Sequence, residues 1–121
     1  MTIEMCYEEM GGNCQEVCMR IPSDTLIIKF VGSFLDDPSF ATLRCAMDAG
    51  NLEEAFRAAH TLKGVCANLS FSKLQHSASQ LTEVLRAAQD AIPEQAYALM
   101  EAVCRDYQDT TDVIRKFQAE A

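Results

Sequence analysis

Three residues within one turn of each other carry reactive or charge-bearing groups in a usable arrangement: His60, Lys63 and Gly64. A neutral imidazole nitrogen is a nucleophile that can attack a phosphoryl group and form a phosphoramidate. An exposed histidine is largely neutral near pH 7, so it needs no base to activate it. Phosphoryl transfer also needs positive charge at the equatorial oxygens, and the ammonium of Lys63 can supply it. Gly64 removes a side chain from the same side. A lone histidine on a helix is otherwise an ordinary surface or core residue, and a lone lysine a solvated charge, so the case rests on how the chain positions them.

The residues around them have helical periodicity. Asn51 can cap a helix, and Glu54 stands three residues on, where its carboxylate can reach back to the cap amide. Gly50 fits the end of a preceding helix. Leu52, Ala55, Ala59, Leu62, Cys66 and Leu69 recur at three- and four-residue steps and form the stripe that the helix buries. At about 100° per residue His60 lies well off the centre of that stripe, with Phe56, Lys63, Gly64 and Ala67 on its side. Phe56 and Ala67 are candidates for a small apolar ring against which a partner packs, and Arg57 for a charge at its rim. Asn68 is expected to bond to a neighbouring helix or to backbone.

The run His60-Thr61-Leu62-Lys63-Gly64, followed by Ala67-Asn68-Leu69, resembles the signature of histidine phosphotransfer (HPt) domains, helical-bundle proteins that carry a phosphoryl group between receiver aspartates in two-component phosphorelays. The resemblance extends over most of the chain, with residues 17–40 similar to the leading helices of the family and residues 71–88 to the helix that pairs with the phosphorylated one. It implies that His60 is phosphorylated, that Lys63 faces the phosphate and that Gly64 clears the docking face. The partners it implies are response-regulator receiver domains and a hybrid histidine kinase, with Mg²⁺ on the receiver and no cofactor on this chain. Ser70 stands where the family often has glycine, and Thr82 where many members have Gln or Glu, with Gln80 and Glu83 nearby. The turn is therefore read as altered, and no supporting contact is assigned to Thr82.

The remaining punctuation predicts an all-α chain. Residues 3–10 form a short helix closed by Gly11-Gly12, and Asn13 caps a second through Arg20. Ser23 caps a third through Leu35, whose apolar positions include Leu26, Ile27, Phe30, Val31 and Phe34. Asp37-Pro38 starts a helix to about Ala49 that buries Phe40, Leu43 and Met47. Ser72 caps a helix burying Leu74, Ala78, Leu81 and Leu85. Pro93 opens a long last helix carrying Tyr97, Met100, Val103, Cys104, Tyr107, Val113, Ile114 and Phe117. Short links between amphipathic helices imply antiparallel neighbours. The expectation is one domain over 1–121: an antiparallel four-helix bundle of about 38–118, with short additional N-terminal helices of about 3–35 packed on it.

Composition narrows the function classes. The net charge of −8 disfavours nucleic acid and anionic membranes. No window reaches the apolar length of a membrane span, and the start has no signal-peptide pattern. The six cysteines, of which Cys45, Cys66 and Cys104 fall on apolar faces, are expected to be reduced thiols in a cytoplasmic protein. Cys14 and Cys18 share a helical face but lack the second ligand pair of a zinc site, so no metal is expected. His76 has no reactive context. The five glycines form neither a Walker nor a kinase glycine-rich loop, so the chain is expected not to be an enzyme with its own ATP site. A monomer is expected, and Met1 with a full last helix suggests a free-standing protein. Two other readings remain: an unphosphorylated bundle that docks receivers, and the phosphotransfer segment of a larger hybrid or chemotaxis-type kinase.

Overall fold

The computed structural model describes residues 1–120 and is all-helical over them. The helices are α1 (Ile3–Met10), α2 (Cys14–Arg20), α3 (Asp24–Ser33), α4 (Ser39–Ala49), α5 (Leu52–Leu69), α6 (Ser72–Ala87) and α7 (Glu94–Ala119), with a 3-10 turn at Phe34–Asp36 after α3. Their ends follow local chemistry. The side chains of Asn13, Ser23 and Asn51 each accept a hydrogen bond from the amide three residues on, opening α2, α3 and α5. Gly11 and Gly50 close α1 and α4 with positive φ, which glycine adopts without steric cost.

Helices α4 to α7 form the antiparallel bundle, with α5 between α4 and α6, and α6 against α7. Between α4 and α7, Phe40 stacks on Tyr107 at 3.8 Å between ring centroids, and the Tyr97 hydroxyl donates to the Met47 carbonyl at 3.3 Å. At 26 residues α7 is about 39 Å long and outruns its bundle partners. Its last turns are covered by α1 and α3, with the Met1 ammonium 3.1 Å from Glu120. Buried residues from all seven helices form one apolar cluster. A chain of aromatic contacts runs through it, from Tyr7 to Phe71, on to Phe34 and then Tyr107.

Several expected details change. Ser72 does not cap α6; it is the first helical residue, and its hydroxyl donates instead to the Ser70 carbonyl. Asp37 does act at the start of α4, accepting from the Ser39 amide at 2.9 Å, but Pro38 and Pro93 sit one position before the helices they introduce. Glu54 does not complete a capping box, because its carboxylate is paired with Arg57 at 2.6 Å. Leu26, Phe30 and Tyr97 are exposed rather than core, and Phe40 and Leu52 are half-buried. Cys45 is exposed on the outer side of α4 and Cys104 is half-buried, while Cys66 is fully buried as its stripe position requires.

Candidate functional site

Helix α5 carries the site. Ala55, Ala58, Ala59, Leu62, Cys66 and Leu69 are buried along its inner side, and that orientation turns His60 and Gly64 outward, both exposed, with Lys63 and Ala67 half-buried beside them. The Phe56 ring lies one turn before His60, with centroids 6.0 Å apart and the planes inclined at 54°. Among the described residues Lys63 makes no ion pair, so its ammonium is uncommitted. A Cβ built on Gly64 would meet nothing within 4 Å. The protein itself therefore does not require glycine there, and the open space lies on the His60 side.

Arg57 is held differently. Its guanidinium pairs with Glu53 at 3.0 Å and Glu54 at 2.6 Å, both on the first turn of its own helix. Such exposed pairs contribute little to stability, but they fix the arginine at the edge of the face and offset its charge. Thr61 donates its hydroxyl to the Arg57 carbonyl at 3.0 Å. His76 lies on α6, exposed, and is not part of this group.

Helix α6 contributes a residue that sequence reasoning missed. The Arg86 guanidinium stands 5.1 Å over the Phe56 ring and pairs with Glu83 at 3.3 Å. A cation over an aromatic face contributes about 0.5–1 kcal/mol at an exposed site. Its signal lay in the antiparallel register: with Arg86 beside Phe56, the residue one turn earlier on α6, Thr82, falls level with His60. Thr82 is fully buried and donates its hydroxyl to the Ala78 carbonyl of its own helix at 2.7 Å. It does not reach the outer face, which is why no supporting contact can be given to it.

The C-terminal end of α5 is secured by the N-terminal helices. Ser70 has φ 56° and ψ 39°, a left-handed conformation unusual outside glycine. Its hydroxyl donates to Glu16 at 2.9 Å and accepts from Arg20. Arg20 also donates to the carbonyls of Ala67 at 2.7 Å and Asn68 at 3.2 Å. A guanidinium on the last carbonyls satisfies groups that the helix leaves open and complements its dipole. The altered turn is thus stabilised from α2. Asn68 itself is exposed, and among the described residues its backbone carbonyl, not its side chain, is engaged.

The open face continues sideways from Gly64 across Asn68 into an apolar groove of about 340 Å³ between α3 and α5, lined by Ile21, Phe30, Phe34, Val65 and Leu69. Phe30 is 42% exposed there. The same spacing that suggested a core position places it at the mouth of this groove. Among the described residues no cluster of three or more metal-ligating side chains occurs, and no helix is long and apolar enough to cross a membrane.

A model of the Hpt domain family matches residues 30–110, more than half of the chain. No curated protein and no solved structure matches. Hpt domains are phosphotransfer modules of two-component systems that interact with receiver domains and kinases. The chain belongs to the Hpt domain family.

Proposed function

We propose that this protein is a phosphorelay intermediate that accepts a phosphoryl group on His60 from a receiver aspartate or a kinase and passes it to another receiver. One observation carries the reading: the histidine of the family-like motif is exposed on a regular helix, with an uncommitted lysine one turn on and open space over Gly64. In the transfer an imidazole nitrogen of His60 attacks phosphorus, the N–P bond forms as the aspartyl O–P bond breaks, and the carboxylate leaves. The ring then loses its other nitrogen-bound proton to water. The reverse sequence returns the phosphoryl group to a second aspartate. The ammonium of Lys63 holds the equatorial oxygens as charge redistributes.

Docking is assigned to the surface around His60. Phe56 and Ala67 supply apolar contact, Arg57 and Arg86 border it as ion-paired polar groups at the rim, and Gly64 leaves room for the acidic pocket of a receiver. The Phe30 groove extends the apolar part of this surface, and an exposed apolar area bordered by charge is the usual mark of a protein interface. Mg²⁺ belongs to the partner in this reading, and the chain has no ATP site or cofactor of its own. The protein acts as a cytoplasmic monomer. Incubation with a phosphorylated receiver, followed by mapping of the modified residue, tests the assignment. Label on His60 supports it. A complex that forms without any transfer would favour a docking bundle that carries no phosphate.

A further inference from the structure

We propose that Cys14 and Cys18 are a redox site, a dithiol that closes into a strained and readily reduced intrahelical disulfide in the presence of an oxidised low-molecular-weight thiol such as oxidised glutathione, and that closing it loosens the hold of α2 on the end of α5. The two residues stand one turn apart on α2, both half-buried, with their sulfurs 3.9 Å from each other. Neither is needed for the transfer chemistry, so the site stands or falls independently of the role given to His60.

Geometry dictates that the bond is strained. Neighbours four apart on a helix have Cβ atoms about 5–6 Å from each other, whereas a relaxed disulfide needs roughly 3.5–4.5 Å. Closure must therefore tighten or unwind α2. A strained disulfide is easier to reduce and belongs to the labile class rather than the structural one. Helix α2 is a good place for such a change. It has seven residues, is bounded by Asn13 and by Ile21-Pro22, and buries only Val17. Two residues beyond Cys18, Arg20 makes the contacts to Ala67, Asn68 and Ser70 that stabilise the end of α5.

The chemistry balances as thiol–disulfide exchange. Burial, and then the hydrogen bond it shares with Cys18, push the Cys14 thiol up to about 11. With the sulfurs 3.9 Å apart, whichever cysteine reacts first presents its mixed disulfide to the other. The first attacks, as its thiolate, one sulfur of oxidised glutathione, forms a mixed disulfide and expels a glutathione thiolate. That thiolate takes the proton of the second cysteine, whose sulfur attacks the first and expels the second glutathione. Two cysteine thiols are oxidised and one glutathione disulfide is reduced to two thiols. Buried Cys6, pushed up to about 11 chiefly by its desolvation, does not compete.

The test uses the full chain carrying Cys45→Ser, which removes the exposed thiol. After incubation with excess oxidised glutathione, the chain is denatured, free thiols are blocked with N-ethylmaleimide and the chain is cut at Arg20. The expected Met1–Arg20 peptide carries one label, on Cys6, and is lighter by two hydrogens, and dithiothreitol before blocking restores three labels. With Cys14→Ser added, the reaction should stop at glutathione on Cys18. Hydrogen exchange of the Ser70 and Phe71 amides should become roughly tenfold faster on oxidation, the factor that one lost hydrogen bond from a charged donor is worth. With Arg20→Ala added, exchange should already be fast and oxidation should add nothing. Cys14 and Cys18 both labelled or separately glutathionylated would overturn the disulfide. A closed disulfide with unchanged exchange at Ser70 and Phe71 would overturn its coupling to α5.

Discussion

Replacing Gly64 by glutamine separates stability from access, because the structure predicts opposite signs for the two. Gly64 lies within α5 in ordinary helical conformation, and a Cβ there meets no atom within 4 Å. The substitution thus introduces no clash and removes the entropic cost of a glycine in a helix interior, about 1 kcal/mol relative to alanine and somewhat less relative to glutamine. A gain of about 0.5 kcal/mol should raise the melting temperature by about 2 °C in a chain of this size. Docking should move the other way. An extra side chain forced into a fitted contact typically costs about 1–3 kcal/mol, which weakens receiver binding by about 5- to 150-fold. Circular dichroism melts and titration calorimetry against a receiver domain measure the two quantities on the same sample. A variant that melts higher and no longer binds would assign Gly64 to access. Unchanged receiver affinity in a folded variant would refute the assigned docking face, and a lower melting temperature would refute the reading of Gly64 as unconstrained by its own fold.

Three further substitutions probe separate parts of the account. Lys63→Ala should slow phosphoryl transfer from a receiver by less than the 10²–10³-fold typical of a buried oxyanion donor, because solvent screens the site. Receiver affinity should stay within about twofold, and single-turnover transfer assays beside calorimetry would reveal the opposite pattern. Gly12→Ala should destabilise the fold by about 1–3 kcal/mol, since its Cβ would stand 2.8 Å from the Tyr7 ring and 2.9 Å from the Ser70 carbonyl oxygen; urea denaturation with a shift under 0.5 kcal/mol would contradict that close packing. Thr82→Val should leave transfer unchanged and alter stability by about 1 kcal/mol or less. Its hydroxyl is buried on its own helix, and a substantial loss of transfer would show that the residue reaches the site after all.

How much of this was visible in the sequence depended on the range of the interaction. The caps at Asn13, Ser23 and Asn51 and the terminating glycines at 11 and 50 act over three or four residues, and each appears where its residue type suggested. The inner stripe of α5 was equally readable, and with it the outward placement of His60. The left-handed Ser70 was not. Its support comes from Glu16 and Arg20, more than fifty positions away in one case and fifty in the other, and nothing local announces it. Arg86 was missed for the same reason, since its place over Phe56 requires the register between α5 and α6. Phe30 and Leu26 were misplaced because α3 carries apolar residues on more than one side. Periodicity alone does not say which side Ile27 and Val31 will take inward.

The most direct measurement is site-resolved mass spectrometry of the chain after brief incubation with a phosphorylated receiver domain, run beside His60→Gln. The wild-type chain should carry one acid-labile phosphoryl group on His60. The variant should remain folded and unlabelled, because a substitution at this exposed position is expected to change stability by only about 0.5 kcal/mol. Phosphate found on His76 or another residue, or label retained by the His60→Gln chain, would contradict the assignment.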